Sequence, residues 1–310
     1  MEVIAHRGAS GYLPEHTLPA KALAHAMGAD FLEQDVVASK DGQLVVLHDI
    51  HVDRVTNVAD RFPDRRRADG RYYAIDFTMD ELRTLTVHER CGADGNAVYP
   101  KRYPVEDNSF RLHTLEEEIR FIRGLNRSTG RSAGIYPEIK KPAWHKEEGI
   151  DLSVAVIETL TASGYRSAED PVYLQCFDAA ETRRIRLELD CDLKLVQLIG
   201  ENDWNESPTN YDGLRTGAGL QFLLKYADAV GPRIQHLYLL DASGTPVPSE
   251  FALAVRSAGV PCHPYTLRAD ELPAGFKDIA TLVTFLQKEA RVSGVFADHP
   301  DLAKLAINRR

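Results

Sequence analysis

The sequence predicts an α/β protein built as an irregular (β/α)8 barrel, and three observations predict it. Short apolar runs of strand length recur along the 310 residues, helical patterns fill many of the gaps, and one stretch, about 50–110, breaks the alternation. A chain that is 44% hydrophobic and 27% charged is ordinary for a globular protein. Its length suits one barrel of about 250 residues plus a modest insertion. The expected organisation is a single catalytic domain over 1–310, interrupted by an inserted subdomain at 50–110.

The strand candidates, in order, are "VIAHRG", "FLEQDVV", "QLVVLHD", "GIYPEIK", "VYLQCF", "LKLVQLIG", "ADAVGP", "VPCHPYT" and "GVFADHP". They exceed the eight of a closed barrel, and "ADAVGP" carries the weakest pattern. The link from Asp35 to Leu44 is too short for a crossover helix, so the barrel should be irregular there. Between the strands, Thr114 and Glu117 form a capping-box pattern ahead of Leu115, Ile119, Ile122 and Leu125, and Asp178 and Glu181 repeat it before Ile185 and Leu189. Gly28, Gly164 and Gly259 each close an apolar helical stretch.

The insertion, with "RFPDRRRADGRYYAIDFTMDEL" and "RYPVEDNSF", is rich in turn residues, charges and tyrosines. Its arginines Arg61, Arg65, Arg66, Arg67 and Arg71 are interleaved with Asp64 and Asp69, which reads as a solvated loop rather than a phosphate site. The insertion is expected to shape the mouth of a pocket, not to supply chemistry.

A net charge of −9 excludes a broad basic face for nucleic acid. No apolar stretch reaches the roughly 20 residues needed to span a bilayer, and no charged start with an apolar signal core precedes the first strand. The expectation is a soluble chain, cytoplasmic if this is the full product or exported if a signal was removed. Cys91, Cys176, Cys191 and Cys262 lie far apart without CxxC spacing, which indicates neither a zinc site nor a dense disulfide framework.

The chemistry gathers at strand ends. In "FLEQD" the carboxylates of Glu33 and Asp35 are two residues apart, so on a strand they point to one face, between apolar neighbours. Two like charges so placed raise one pKa strongly unless a cation neutralises them. "GIYPEIK" adds Glu138, with Lys140 on the same face. Oxygen-only ligands from Glu33, Asp35 and Glu138 suit one hard divalent cation, Ca²⁺ or alternatively Mg²⁺. His6 ends the first strand beside Arg7, and "QLVVLHD" places His48 in a matching setting. Each histidine alone reads as structural; two of them with three acids fit the catalytic face of a barrel. Cleaving an alkyl phosphodiester needs one base and one acid, and imidazole serves either role at neutral pH. Arg7 and Lys140 would balance charge on the phosphoryl oxygens.

With these residues assembled, the chain resembles the glycerophosphodiester phosphodiesterase family, most closely its larger bacterial periplasmic branch. The motifs run from Ile4 to Pro300: "HRGASGYLPEHT", "LEQDVVASKDGQLVVLHD", "DRVTNVADRFPDRRRADGRYYAIDFTMDEL", "GIYPEIK", "YLQCFD", "VQLI", "HPYTLR" and "FADHP". The resemblance implies a barrel of the phosphoinositide phospholipase C-like type, with a small domain inserted after the strand carrying the second histidine. It implies that His6 and His48 are the acid/base pair, that Glu33, Asp35 and Glu138 bind the metal, and that Arg7 and Lys140 contact phosphate. Gln175 and Phe177 would lie at the rim. Tyr265 stands where many members have Trp, and Trp204 would belong to a loop over the pocket. Two departures are His16, where many relatives have Asn, and Ala297, where many have Thr. Neither is expected to touch the catalytic set.

The implied products are sn-glycerol 3-phosphate and an alcohol such as choline, ethanolamine or glycerol, and the implied location is the periplasm if a signal was removed. The partner expected is a small glycerophosphodiester, without nucleic acid or stable membrane insertion; a homodimer is compatible with the chain. Two other readings compete: a phospholipase or lyase acting on lipid or lysolipid, which needs an apolar docking surface, and a noncatalytic phosphodiester-binding surface protein, which has no use for both histidines and all three acids.

Overall fold

The computed structural model describes residues 1–106 and 109–309. Its main sheet is parallel, with β1 (Glu2–Ala5), β2 (Phe31–Ala38), β4 (Gly134–Ile139), β5 (Tyr173–Cys176), β6 (Lys194–Ile199) and β7 (Ala229–Pro232) in chain order and β10 (Gly294–Ala297) closing against β1. Residues 261–267 fill the gap between β7 and β10, through bridges Val230 to Cys262, Arg233 to Tyr265, and Leu267 to Ala297. This eighth strand is broken because Pro261 and Pro264 bring no N–H to the ladder.

The strand in excess of eight is β3 (Leu44–Val46), not "ADAVGP", which is the barrel strand β7. β3 runs antiparallel to β2, pairing Val36 with Val46 and Ala38 with Leu44. A tight return needs no crossover helix, which accounts for the short Asp35–Leu44 link. His48 therefore reaches the catalytic face by a hairpin return, while His6 arrives at the end of a parallel strand. A second hairpin, β8 (Tyr238–Leu240) with β9 (Pro246–Pro248), has no counterpart in the strand candidates of the sequence.

Strand periodicity stacks the barrel interior in layers. Ile4, Phe31, Tyr136, Val196, Ala229 and Phe296 form a buried apolar floor, joined by the Tyr136 hydroxyl bonded to His263 at 2.8 Å. Two residues beyond Ile4, Phe31, Tyr136 and Phe296 stand His6, Glu33, Glu138 and Asp298, with Gln175 following the partly buried Tyr173, and all five are buried. Outward residues such as Leu32, Val36, Ile135, Ile139 and Leu174 pack with the surrounding helices in a separate cluster.

The helix Leu115–Thr129 starts on a full capping box from Thr114 and Glu117 and ends at Gly130, while Asp178 caps the helix Ala179–Leu187. Gly28, Gly164 and Gly259 all take positive φ beyond helix ends, where a side chain would be strained. The four cysteines are free and buried.

Residues of the 50–110 stretch, among them Val52, Val55, Phe77, Leu82 and Val87, build an apolar cluster of their own on Val37, Val45 and Leu47. Its arginines are held by carboxylates: Arg65 by Glu81 at 3.0 Å, Arg67 by Asp76 and Glu148, and Arg71 by Asp53 at 2.7 Å. Arg61 and Arg66 are exposed.

A buried polar hub ties two helices to β2 beneath the site. Glu118 accepts from Lys21 at 2.8 Å, from Gln34 at 2.7 Å and from His113 at 2.6 Å, and Lys21 also donates to the Glu33 carbonyl. Lys21 and Glu118 are wholly shielded from solvent. Although burial opposes its charge, Lys21 and His113 hold the Glu118 carboxyl down at about 2. Its contribution to stability is thus complete above the ordinary carboxylate range and is lost as pH falls towards that value. Lys21→Met strands the carboxylate and is expected to cost about 3–5 kcal/mol in urea unfolding at neutral pH; a loss under about 1 kcal/mol would show that the hub is dispensable.

Candidate active site

All eleven residues singled out from the sequence line one cavity of about 230 Å³ at the C-terminal end of the barrel strands. Period-2 strand geometry brings most of them there: Glu33 and Asp35 from β2, Glu138 from β4 with Lys140 beyond it, and Gln175 from β5 with Phe177 beyond it. Phe177, Trp204 and Tyr265 form an aromatic wall. The Tyr265 hydroxyl donates to the Ile199 carbonyl at 2.8 Å, and the Arg233 guanidinium lies 5.1 Å from the Trp204 ring. Lys141 donates to the Asn205 and Glu206 carbonyls, which ties the Trp204 loop to the end of β4.

Glu33, Asp35 and Glu138 each present an oxygen within 4.8 Å of the others, and all three are buried. Burial and the neighbouring Asp35 carboxylate push Glu138 well up, against the pull of Lys140 at 2.7 Å. Burial also raises Glu33. Asp35 goes the other way: although burial opposes its charge, Lys140, His16 and His48 hold it well below the usual carboxylate range. The Lys140 ammonium is buried too, and Glu138 and Asp35 more than offset that desolvation, so its pKa rises.

Arg7 has a left-handed backbone, φ 59°, a conformation costing about 1–3 kcal/mol in a residue with a β-carbon. It offsets that cost by donating its backbone N–H to Glu33 Oε2 at 2.7 Å and its guanidinium to Glu15 at 2.8 Å, with Nε 3.7 Å from Asp35.

The two histidines sit in opposed surroundings. His6 Nδ1 donates to Asp298 Oδ1 at 2.6 Å, and its Nε2 lies 4.0 Å from Glu33 Oε2. His48 Nδ1 donates to Asp49 Oδ1 at 2.5 Å, and its Nε2 lies 3.5 Å from Lys140 Nζ. Burial, then Arg7 and Lys140, lower the His48 pKa to about 4, so the ring is neutral at physiological pH.

Two sequence expectations are corrected. Gln175 is not at the rim: it is buried on β5 opposite Glu138 and donates to Glu33 Oε1 at 3.1 Å. His16 does touch the acidic set, donating from Nε2 to Asp35 Oδ2 at 2.6 Å. Its left-handed backbone turns the ring under the loop, a placement that no local pattern announces. Sequence reasoning also passed over Asp49, Asp298, Glu15, Arg90 and Arg102. Asp49 adjoins His48, Asp298 lies in the quoted "FADHP" and Glu15 in the quoted "HRGASGYLPEHT", so position could have flagged these three; Arg90 and Arg102 carry no such signal.

Comparison with known proteins decides the family. The model of the glycerophosphoryl diester phosphodiesterase family matches residues 6–302. The chain belongs to that family. It is 45% identical to the glycerophosphodiester phosphodiesterase of Haemophilus influenzae, over 96% of this chain and 87% of that protein. It is 40% identical to the Treponema pallidum enzyme, over 97% and 90% respectively. Among solved structures, a protein from Silicibacter pomeroyi assigned by name to the same activity superposes with TM-score 0.72 at 21% identity, covering 99% of this chain and 92% of that one. A phosphodiesterase from Oleispira antarctica, in complex with the product sn-glycerol-3-phosphate, superposes with TM-score 0.64 at 20% identity, covering 100% and 97%. The protein is thus a glycerophosphodiester phosphodiesterase with a TIM-barrel-like fold, and among its described residues no helix is long and apolar enough to cross a membrane.

Enzymes of this family generally depend on a divalent metal, and the residues present fit one. Asp35 Oδ1 is buried without a hydrogen-bond partner, and the donors are all hard oxygens. His16 fixes the other oxygen of Asp35, as outer partners of metal-ligating carboxylates do. His16→Ala is expected to weaken divalent-cation affinity about 10- to 100-fold in calorimetric titration; unchanged affinity would mean that Asp35 needs no such support.

Proposed function

We propose that the enzyme hydrolyses glycerophosphodiesters such as glycerophosphocholine and glycerophosphoethanolamine to sn-glycerol 3-phosphate and a free alcohol, by metal-dependent, two-histidine acid/base catalysis. The observation that carries this reading is the opposed setting of the two imidazoles: His6 Nε2 faces the Glu33 carboxylate, and His48 Nε2 faces the Lys140 ammonium. A ring nitrogen beside a cation favours a free lone pair, and the second imidazole is then left to supply the proton. His48 therefore begins as the base and His6 as the acid.

Glu33, Asp35 and Glu138 would hold one divalent cation, Ca²⁺ or alternatively Mg²⁺, which when bound acidifies a hydroxyl and offsets phosphoryl charge. Arg7 and Lys140 stand against the phosphoryl oxygens, and Gln175 keeps Glu33 aimed into the cavity. The substrate's own C2 hydroxyl is the first nucleophile, because it is tethered beside phosphorus and needs no capture of water. His48 Nε2 takes its proton as the new P–O bond forms. The bond to the alcohol breaks, and His6 Nε2 protonates the departing oxygen. With the roles reversed, His6 deprotonates water, which opens the cyclic phosphate, and His48 returns the proton to the C2 oxygen.

Two experiments test this. Chelation should abolish release of glycerol 3-phosphate, with recovery on adding Ca²⁺ or Mg²⁺; full turnover in verified metal-free protein refutes the metal requirement. In the second, each histidine variant is assayed on glycerophosphocholine and on glycerophospho-p-nitrophenol, whose phenolate departs without a proton. His6→Ala should lose about 10²- to 10⁴-fold in kcat on the choline ester and far less on the nitrophenyl ester, while His48→Ala loses heavily on both. The reverse pattern would exchange the two roles.

A further inference from the structure

No residue of the 50–110 stretch lines the cavity itself, yet the stretch reaches the groups behind it. One of its arginines meets each of the two histidine–aspartate pairs. Arg90 donates from Nη1 to Asp49 Oδ2 at 2.6 Å, and the other oxygen of Asp49 receives His48. Arg102 donates from Nη2 to Asp298 Oδ2 at 2.7 Å, and the other oxygen of Asp298 receives His6. In both cases the guanidinium occupies one carboxylate oxygen and leaves the second for the ring.

Each arginine is itself locked. Arg90 makes a two-pronged contact with Glu15, at 2.9 and 2.6 Å, and Glu15 in turn holds Arg7. Arg102 is bidentate on Asp270, at 2.8 and 3.0 Å, reaches the Ser10 carbonyl, and lies 3.7 Å from the Tyr99 ring centre. Arg268 joins it on Asp298 Oδ2 at 3.0 Å. The Arg102 side chain is only 5% exposed, too buried for an incidental surface contact. A planar guanidinium can bind two carboxylates at fixed angles, which lysine cannot.

We infer that Arg90 and Arg102 are positioning residues: Arg90 aims His48 through Asp49, and Arg102 aims His6 through Asp298. The insertion thereby sets the orientation of the base and of the acid independently. A carboxylate pinned at one oxygen cannot swing away from the ring, so the imidazole keeps both its tautomer and its direction. The inference rests on the assignment of His6 as acid and His48 as base.

The test compares Arg102→Gln and Arg90→Gln on glycerophosphocholine and on glycerophospho-p-nitrophenol, with His6→Ala alongside. Arg102→Gln should lower kcat on the choline ester about 10- to 100-fold, the range for outer partners of active-site histidines, and leave the nitrophenyl ester within about threefold, with little change in KM. Arg90→Gln should lower kcat on both esters alike, because both need the base. Equal losses on the two esters for Arg102→Gln, or no loss on either, overturn the inference, since general disorder of the mouth would not discriminate between leaving groups. Should Arg102→Gln fail to fold, Arg102→Lys keeps the charge but not the fork, and the same ratio between esters decides. His6→Ala separates two failures: equal losses there sink the acid assignment, whereas a selective loss there with equal losses in the Arg102 variant sinks the inference alone.

Discussion

The mutual repulsion of Glu33, Asp35 and Glu138 is the constraint around which the rest of the protein is arranged. Three buried carboxyl groups with oxygens within 4.8 Å of one another would, if all ionised, oppose each other by about 3–4 kcal/mol per pair at an intermediate effective dielectric. Burial and that repulsion push Glu33 and Glu138 upward, and the fold also sets opposite charge and hydrogen-bond donors beside the acids. Lys140 lies on Glu138, Arg7 spans Glu33 and Asp35 through its backbone N–H and guanidinium, and His16 and Gln175 each donate to one of the acids. The apolar floor from Ile4 to Phe296 shuts out water from below and makes the repulsion stronger than it would be at a surface. A hard cation held by these oxygens would relieve the same repulsion.

Charge alternation continues outward from that cluster. Beyond the acids stand Arg7, Lys140 and the histidines; beyond these stand Glu15, Asp49 and Asp298; and beyond them stand Arg90, Arg102 and Arg268. Each layer is at least partly buried and is paired with the next, so side chains that would otherwise sample several rotamers are restricted. A phosphodiester entering such a cavity meets donors already fixed in place, which is the preorganisation that electrostatic catalysis requires. The acidic overall charge, −9, coexists with this local positive lining because binding depends on the few residues at the site and not on the sum.

Much of this was legible in the chain. Apolar runs of strand length located the barrel strands, and the period of 2 placed Glu33 with Asp35 and Glu138 with Lys140 on shared faces before any coordinates. Other features were legible only in part, since the short Asp35–Leu44 link marks an irregularity without giving its form. The antiparallel return of β3 and the proline-broken eighth strand are indistinguishable, as short apolar runs, from ordinary barrel strands. His16 looked like a loop variation because its bond to Asp35 spans 19 residues and depends on a left-handed turn.

The sequence by itself determined which side chains face inward and what chemistry they can perform, because alternation along a strand is a local property of the backbone. Only the tertiary structure decided which charges meet. Of the partners of Asp298, His6 and Arg102 lie 292 and 196 residues away in the chain, and Arg90 reaches Asp49 across 41 residues. Such pairings are set by how the barrel closes and where the 50–110 stretch packs against it. Periodicity carries no information about them, since any of the many arginines in the 50–110 stretch reads the same until the packing selects two.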